Sequence, residues 1–320
     1  MTRSQLLRRG LGLSVAAALP GMAAAQPAPP VSGAAAPSTT PVTPAKMNTR
    51  PIPSSGEALP VIGCGTYIGF NHAPGSDEYQ RLPAVLQALF AAGGKVLDSS
   101  PMYGRSEATT GELLASGGFH DRAFIATKVW TSGRDAGIRQ MEASMRLLQT
   151  PRVDLMQVHN LVDWRTQLAT LRRWKEEGRV RYIGITHYTS SAYREVEAVL
   201  RAEKLDFLQI NYAADDRDAE ARVLPLAAAR GVAVLVNTPF GGGGLLRSLQ
   251  GKPLPAWAAE IGATSWAQVL LKFVLSNPAV TCTIPGTSRP EHMAANAAAG
   301  SGVIPPPSFW RGKLAAAGIG

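Results

Sequence analysis

The chain has 320 residues, 45% of them hydrophobic and 17% charged, with a formal net charge of +9. That balance excludes a disordered or fibrous chain and suits a soluble globular enzyme with a sizeable core. The positive excess is either a generally basic surface or an attraction for an anionic cofactor; with no Lys/Arg run interleaved with aromatics, no nucleic-acid partner is expected.

In chain order, the N-terminus is informative first. Arg3, Arg8 and Arg9 precede an apolar run over 11–19, and Ala23-Ala24-Ala25 offers a small-residue cleavage site before Gln26. This is the layout of a cleaved export signal over residues 1–25. The run is too short to cross a bilayer as a helix, so no permanent membrane anchor is expected. Arg8-Arg9 directly ahead of it resembles a twin-arginine leader, which implies contact with export machinery and a periplasmic destination. Residues 26–46, rich in Pro, Ala, Thr and Ser, read as a flexible tether. Residues 47–320 read as one domain.

Segments 50–53 and 59–62 flank Ser54-Ser55-Gly56 and predict an N-terminal β-hairpin closing the floor of that domain. Strands are predicted over 62–67, 95–98, 123–128, 154–159, 180–186, 207–211, 233–237 and 280–284. Amphipathic helices are predicted over 81–92, 136–148, 165–177, 192–203, 219–229 and 265–275. Strands alternating with helices at this length predict a parallel (β/α)8 TIM barrel in the α/β class. An open doubly wound sheet would carry a Gly-rich turn after its first strand, whereas Gly63-Cys64-Gly65 lies inside the strand.

In a barrel, reactive groups gather at the C-terminal ends of strands. Asp98 ends the second strand, Lys128 the third and His159 the fourth, and Tyr103 lies in the loop after Asp98. A phenol with a pKa near ~10 is a poor acid at neutral pH. An adjacent Lys128 ammonium, kept charged by Asp98, is expected to lower that value. His159 is expected to donate a hydrogen bond to a carbonyl oxygen, and Tyr103 to protonate that oxygen as it gains charge. The group holds no strong nucleophile and needs a hydride from a cofactor. No metal is expected, because His72, His120 and His292 show no ligand spacing. Cys64 and Cys282 fall on strands that are neighbours in a closed barrel. Two buried thiols are expected there, and opposite-facing side chains would forbid a disulfide.

At this point the motifs resemble a known family. Asp98-Ser99-Ser100-Pro101-Met102-Tyr103-Gly104, continued by Ser106-Glu107, resembles the Asp-x-x-x-x-Tyr-Gly motif of the aldo/keto reductases. Thr127-Lys128-Val129-Trp130 resembles the family's Lys segment, and Asp154-Leu155-Met156-Gln157-Val158-His159 its His segment. The likeness runs from about residue 47 to 299. It implies reduction of a small-molecule aldehyde or ketone with NADP(H), NAD(H) being the alternative.

The resemblance also implies a set of contacts. Gly65, Thr66 and Tyr67 would lie under the nicotinamide beside Asp98, with Thr186, His187 and Gln209 at its carboxamide. Asn237, Thr238, Pro239 and Phe240, followed by Gly241 and Gly242, would follow the cofactor to its pyrophosphate. Thr287, Ser288, Arg289, His292 and Asn296 would meet the adenosine phosphate, and Tyr67, Trp130 and Asn160 the substrate. The chain departs from the family at His187, where Asn is usual, and at Asn237, where an aromatic is usual. Gly286 and His292 stand where Lys and Arg often bind the 2′-phosphate, which leaves Arg289. Asn160 stands where Trp is common and implies a more polar pocket. The same resemblance admits a cofactor-binding regulatory or sensor protein with little turnover, but the intact catalytic group favours an enzyme.

Overall fold

The structure, a computed structural model, describes residues 46–319. The expected leader, and the tether except Lys46, lie outside the described residues. A hairpin comes first, with β1 (Thr49–Pro51) paired antiparallel to β2 (Ala58–Pro60). The barrel strands are β3 (Cys64–Gly65), β4 (Val96–Asp98), β5 (Phe124–Val129), β6 (Val153–His159), β7 (Val180–Thr186), β8 (Phe207–Asn211), β9 (Ala233–Asn237) and β10 (Val280–Thr283). The helices are α1 (Asp77–Ala91), α2 (Ser106–Gly117), α3 (Arg134–Leu147), α4 (Trp164–Glu176), α5 (Tyr193–Ala202), α6 (Val223–Ala229), α7 (Gly244–Ser248), α8 (Trp266–Ser276), α9 (Pro290–Ala298) and α10 (Lys313–Ala316).

Strands β3 to β10 pair in chain order, all parallel. Bridges Ile62↔Thr283 and Gly65↔Gly286 join the first strand to the last, so the sheet closes as the expected barrel. Closure brings backbone against backbone: a Cβ at Gly65 would stand 2.8 Å from the Ile284 carbonyl oxygen, and one at Gly286 2.9 Å from that of Gly65. Glycine is needed at both positions. β3 is shorter than predicted because the chain turns away after Gly65, leaving Tyr67 and Ile68 largely exposed.

The barrel interior has an apolar floor. Ile52 and Leu59 of the hairpin pack with Val96, Phe124, Leu155, Tyr182 and Phe207, the three aromatic rings lying 5.5–6.0 Å apart. Burying each such side chain contributes about 1.5–3 kcal/mol. An ion pair between Glu57 and Arg181 ties the hairpin to β7, so the plug predicted from sequence is in place.

Cys282 belongs to this inner cluster, whereas Cys64 belongs to the outer core between sheet and helices. They therefore face opposite sides of the barrel wall, and both are buried free thiols. Burial pushes the Cys64 thiol up to about 12 and raises that of Cys282 as well, which leaves both unreactive.

Candidate active site

Above the apolar floor the inward-facing residues turn polar. Asp98 ends β4 and Lys128 stands one residue from the end of β5; both are buried. Lys128 Nζ donates to Asp98 Oδ2 at 2.7 Å and to the Ser99 carbonyl at 2.7 Å. Asp98 Oδ1 accepts from Gln209 Nε2 at 2.8 Å and from Gln157 Nε2 at 3.3 Å. Gln209 Oε1 in turn accepts from Thr186 Oγ1 at 3.0 Å. A buried ion pair survives only when its remaining hydrogen-bonding capacity is met, and here β6 and β8 supply the donors. Burial favours loss of the Lys128 proton, but the Asp98 carboxylate and the Tyr103 phenol outweigh it, and the Lys128 pKa is raised.

Tyr103 sits on the turn after β4, its N–H bonded to the Ser100 carbonyl at 3.0 Å. The centre of its ring is 4.9 Å from Lys128 Nζ, 4.9 Å from the Tyr67 ring and 6.1 Å from that of His159. The expected lowering of the phenol pKa is corrected by the structure. Burial raises it and outweighs the pull of the Lys128 ammonium, so the net direction is upward. Tyr103 is thus a protonated group at neutral pH, able to give a proton but holding it firmly. His159 ends β6. Burial, then the charges of Lys128 and His187, lower its pKa to about 3. The ring is therefore a neutral hydrogen-bonding group at ordinary pH.

This group borders a cavity of about 900 Å³. Asp98, Tyr103 and His159 line it together with Gly65, Tyr67, Thr186 and Gln209. Asn237, Thr238, Pro239, Phe240 and Gly242 line it too, as do Thr287, Ser288, Arg289 and His292. Trp130 and Asn160 border it too.

Five expected residues do not line it. Lys128 is fully buried behind Tyr103, and Thr66 is buried with its hydroxyl on Ser99 Oγ at 2.9 Å. Asn296 is buried on α9. Gly241 is pressed against the Asp215 carboxylate, where a Cβ would lie 2.4 Å from Oδ2. His187 is turned into its own loop: Nδ1 accepts from the N–H groups of Tyr188 at 3.0 Å and Thr189 at 3.3 Å, and the ring stacks on Tyr188. Asn237 braces that loop, donating from Nδ2 to the His187 carbonyl at 3.0 Å, which gives the amide a task unlike ring stacking.

The polar Asn160 borders the cavity beside several large apolar and aromatic side chains. Tyr67, Ile68, Met102, Trp130 and Tyr188 all border the cavity and are large side chains left exposed. Of these, Ile68, Met102 and Tyr188 escaped the sequence reading, because exposed apolar residues on loops show no periodicity. Asn160 has a backbone reason for its identity, since its φ is 52°, a region Asn enters more readily than most residues.

The cavity meets the N-terminal end of α9, which opens with Pro at its first turn. Arg289 N–H bonds Thr287 Oγ1 at 3.1 Å. Unpaired N–H groups and the helix dipole suit this end to an anion. Gly286 has no room for the cation often found at that position, because any side chain there would crowd the Gly65 carbonyl. Among the described residues, no group of three or more His, Cys, Asp or Glu could hold a metal, and no helix is long and apolar enough to cross a membrane.

A sequence profile of the aldo/keto reductase family matches residues 61–309. The chain belongs to the aldo/keto reductase family. It is 28% identical over 262 residues to a methylglyoxal reductase of Escherichia coli, covering 79% of this chain and 89% of the relative. It is 26% identical over 264 residues to an aldo-keto reductase of Mycolicibacterium smegmatis, covering 78% of this chain and 87% of the relative. Two crystal structures of an aldo-keto reductase from Klebsiella pneumoniae are similar in fold. One is a complex with NADPH (TM-score 0.70, 26% identity, covering 83% of this chain and 93% of the other). The other is a complex with NADP and acetate (TM-score 0.70, 27% identity, covering 83% and 94%).

Proposed function

We propose that this aldo/keto reductase is an NADP(H)-dependent carbonyl reductase that converts an aldehyde or ketone to an alcohol. The observation that carries the reading is a single cavity joining the Asp98, Tyr103, Lys128 and His159 group to the anion-suited start of α9. The similar Klebsiella pneumoniae enzyme holds NADPH or NADP, and the residues here fit such a dinucleotide. Gln209 keeps one amide hydrogen free of the Asp98 bond and stands with Thr186 where a carboxamide can be met. Gly242 presents backbone with no atom within 4 Å of a Cβ position, an open approach for pyrophosphate. Bound there, the nicotinamide supplies the hydride.

The chain's own residues do the rest. His159 holds the carbonyl oxygen, Tyr103 gives that oxygen its proton, and Lys128 with Asp98 sets the field around the phenol. The direct test is steady-state oxidation of NADPH with a reactive aldehyde. Turnover no faster than the uncatalysed reaction would refute the reading and leave a binding protein.

Cofactor preference rests on Arg289, the fixed cation bordering this cavity among the described residues. A charge-assisted contact contributes about 1.5–3 kcal/mol, so its loss costs about tenfold or more in affinity. Arg289→Ala is expected to weaken NADPH binding by that factor and to leave NADH nearly unchanged in a titration of each. An equal loss for both would remove Arg289 from the 2′-phosphate.

The leader supports a proposal of export through a twin-arginine route to the periplasm, with mature protein beginning near Gln26. Changing Arg8 and Arg9 to Lys is expected to hold the protein in the cytoplasm. N-terminal sequencing that finds Met1 intact in all cellular protein would contradict it.

A further inference from the structure

Two serines follow Asp98, and they act in different ways. Ser99 presents its carbonyl to Lys128. Ser100 is completely buried and does not line the cavity, yet its side chain reaches the catalytic imidazole: Oγ lies 3.2 Å from His159 Nδ1. The same Oγ accepts the N–H of Met102 at 3.3 Å. A buried hydroxyl hydrogen must find an acceptor, and among the described residues His159 Nδ1 is the one within reach of Ser100 Oγ. The hydroxyl therefore donates to Nδ1, and Nδ1 carries no proton. In a neutral imidazole the proton then sits on Nε2, which has no hydrogen-bond partner among the described residues and belongs to a ring that lines the cavity.

We infer that Ser100 is a positioning residue that fixes His159 in its Nε2–H tautomer, so that the imidazole meets the substrate oxygen as a donor. The inference rests on the reductase reading for its effect on rate, but not for the tautomer itself. The groups around the ring agree with it. Burial, then the charges of Lys128 and His187, hold His159 neutral, and the Tyr103 ring, its centre 6.1 Å from that of the imidazole, takes neither nitrogen. A neutral imidazole with Nδ1 protonated would instead turn a lone pair toward the carbonyl oxygen, and two acceptors repel. The turn Asp98-Ser99-Ser100-Pro101-Met102-Tyr103 thereby sets every member of the group: its own carboxylate and phenol, Lys128 through a carbonyl, and His159 through a hydroxyl.

The experiment is nitrogen NMR of the His159 ring in the protein bound to NADPH, paired with steady-state kinetics, for the wild type, Ser100→Ala and Ser100→Thr. The wild type is expected to show Nε2 protonated and Nδ1 bare. Ser100→Ala is expected to mix the two tautomers and lower kcat/KM for a carbonyl substrate by about tenfold, the loss of one oriented hydrogen bond. Its NADPH affinity should not change, because Ser100 lies off the cavity. Ser100→Thr keeps the hydroxyl and is expected to restore the single tautomer. A wild-type ring protonated on Nδ1 overturns the inference, even if Ser100→Ala fails to fold. So does Ser100→Ala with an unchanged tautomer, or with a changed tautomer and an unchanged rate. If the wild type turns over no carbonyl at all, the reductase reading fails while the tautomer measurement still tests the role of Ser100.

Discussion

Tyr103→Phe is expected to lower carbonyl reduction by a factor of about 10²–10⁴ and to leave NADPH affinity unchanged. The substitution keeps the ring that packs against Tyr67 and removes only the hydroxyl. The other nearby groups cannot replace it. His159, with a pKa of about 3, is neutral at ordinary pH, and Lys128 is fully buried, donates to Asp98 and Ser99, and is held charged by that carboxylate. The pH profile carries a second expectation. Because the Tyr103 pKa lies above its ordinary value, the acid form persists through neutral and mildly alkaline pH, and the rate of reduction should fall only as pH rises through the alkaline range beyond. No acid limb from His159 should appear until pH nears its low pKa. Turnover of a reactive aldehyde with saturating NADPH decides the matter: equal rates in wild type and Tyr103→Phe would mean that the proton comes from elsewhere.

Lys128→Met is expected to cost turnover by a similar factor and, unlike Tyr103→Phe, to cost stability as well. Removing the ammonium takes away the charge that pulls the Tyr103 pKa down, so the phenol becomes a still weaker acid. It also leaves the Asp98 carboxylate buried with only Gln157 and Gln209 as donors. Breaking one side of a buried ion pair typically destabilises by about 3–5 kcal/mol, and the two remaining amides place the expectation at the lower end. Chemical denaturation read beside the kinetics separates the two losses. The double variant with Tyr103→Phe should lose far less activity than the two single losses combined, because phenol and ammonium act as one unit. Full additivity would show that they do not.

Much of this architecture was legible from the sequence because strands and apolar helix faces leave periodic traces. The runs ending in Asp98, His159, Thr186 and Asn237 are strands that end where they were predicted to end. The sequence reading lacks α2, since its buried face begins with Ser106, Glu107, Thr109, Thr110 and Gly111, small or polar residues that carry no apolar rhythm, and turns apolar only at Leu113 and Leu114. Gly111 is small for a reason visible only in three dimensions: a Cβ there would lie 2.1 Å from the Leu147 carbonyl oxygen. The proposed catalytic group is legible because its chemistry demands particular residue types at strand ends and on the turn after β4. The direction of the Tyr103 shift was not, because burial is a property of the packed chain and here it outweighs a neighbouring charge. The orientation of His187 is not legible for a related reason, as its ring accepts from two backbone N–H groups that have no other hydrogen-bond partner among the described residues.

The opposite facing of Cys64 and Cys282 bears on the order of events in the life of the chain. With no covalent link to form, reaching the native state asks nothing of the redox condition of the surroundings: neither an oxidant nor an isomerase takes part. The finished barrel can be completed, and can enclose its dinucleotide, in a reducing environment as readily as in an oxidising one. On the proposed export route, folding and transport are thereby free to occur in either sequence.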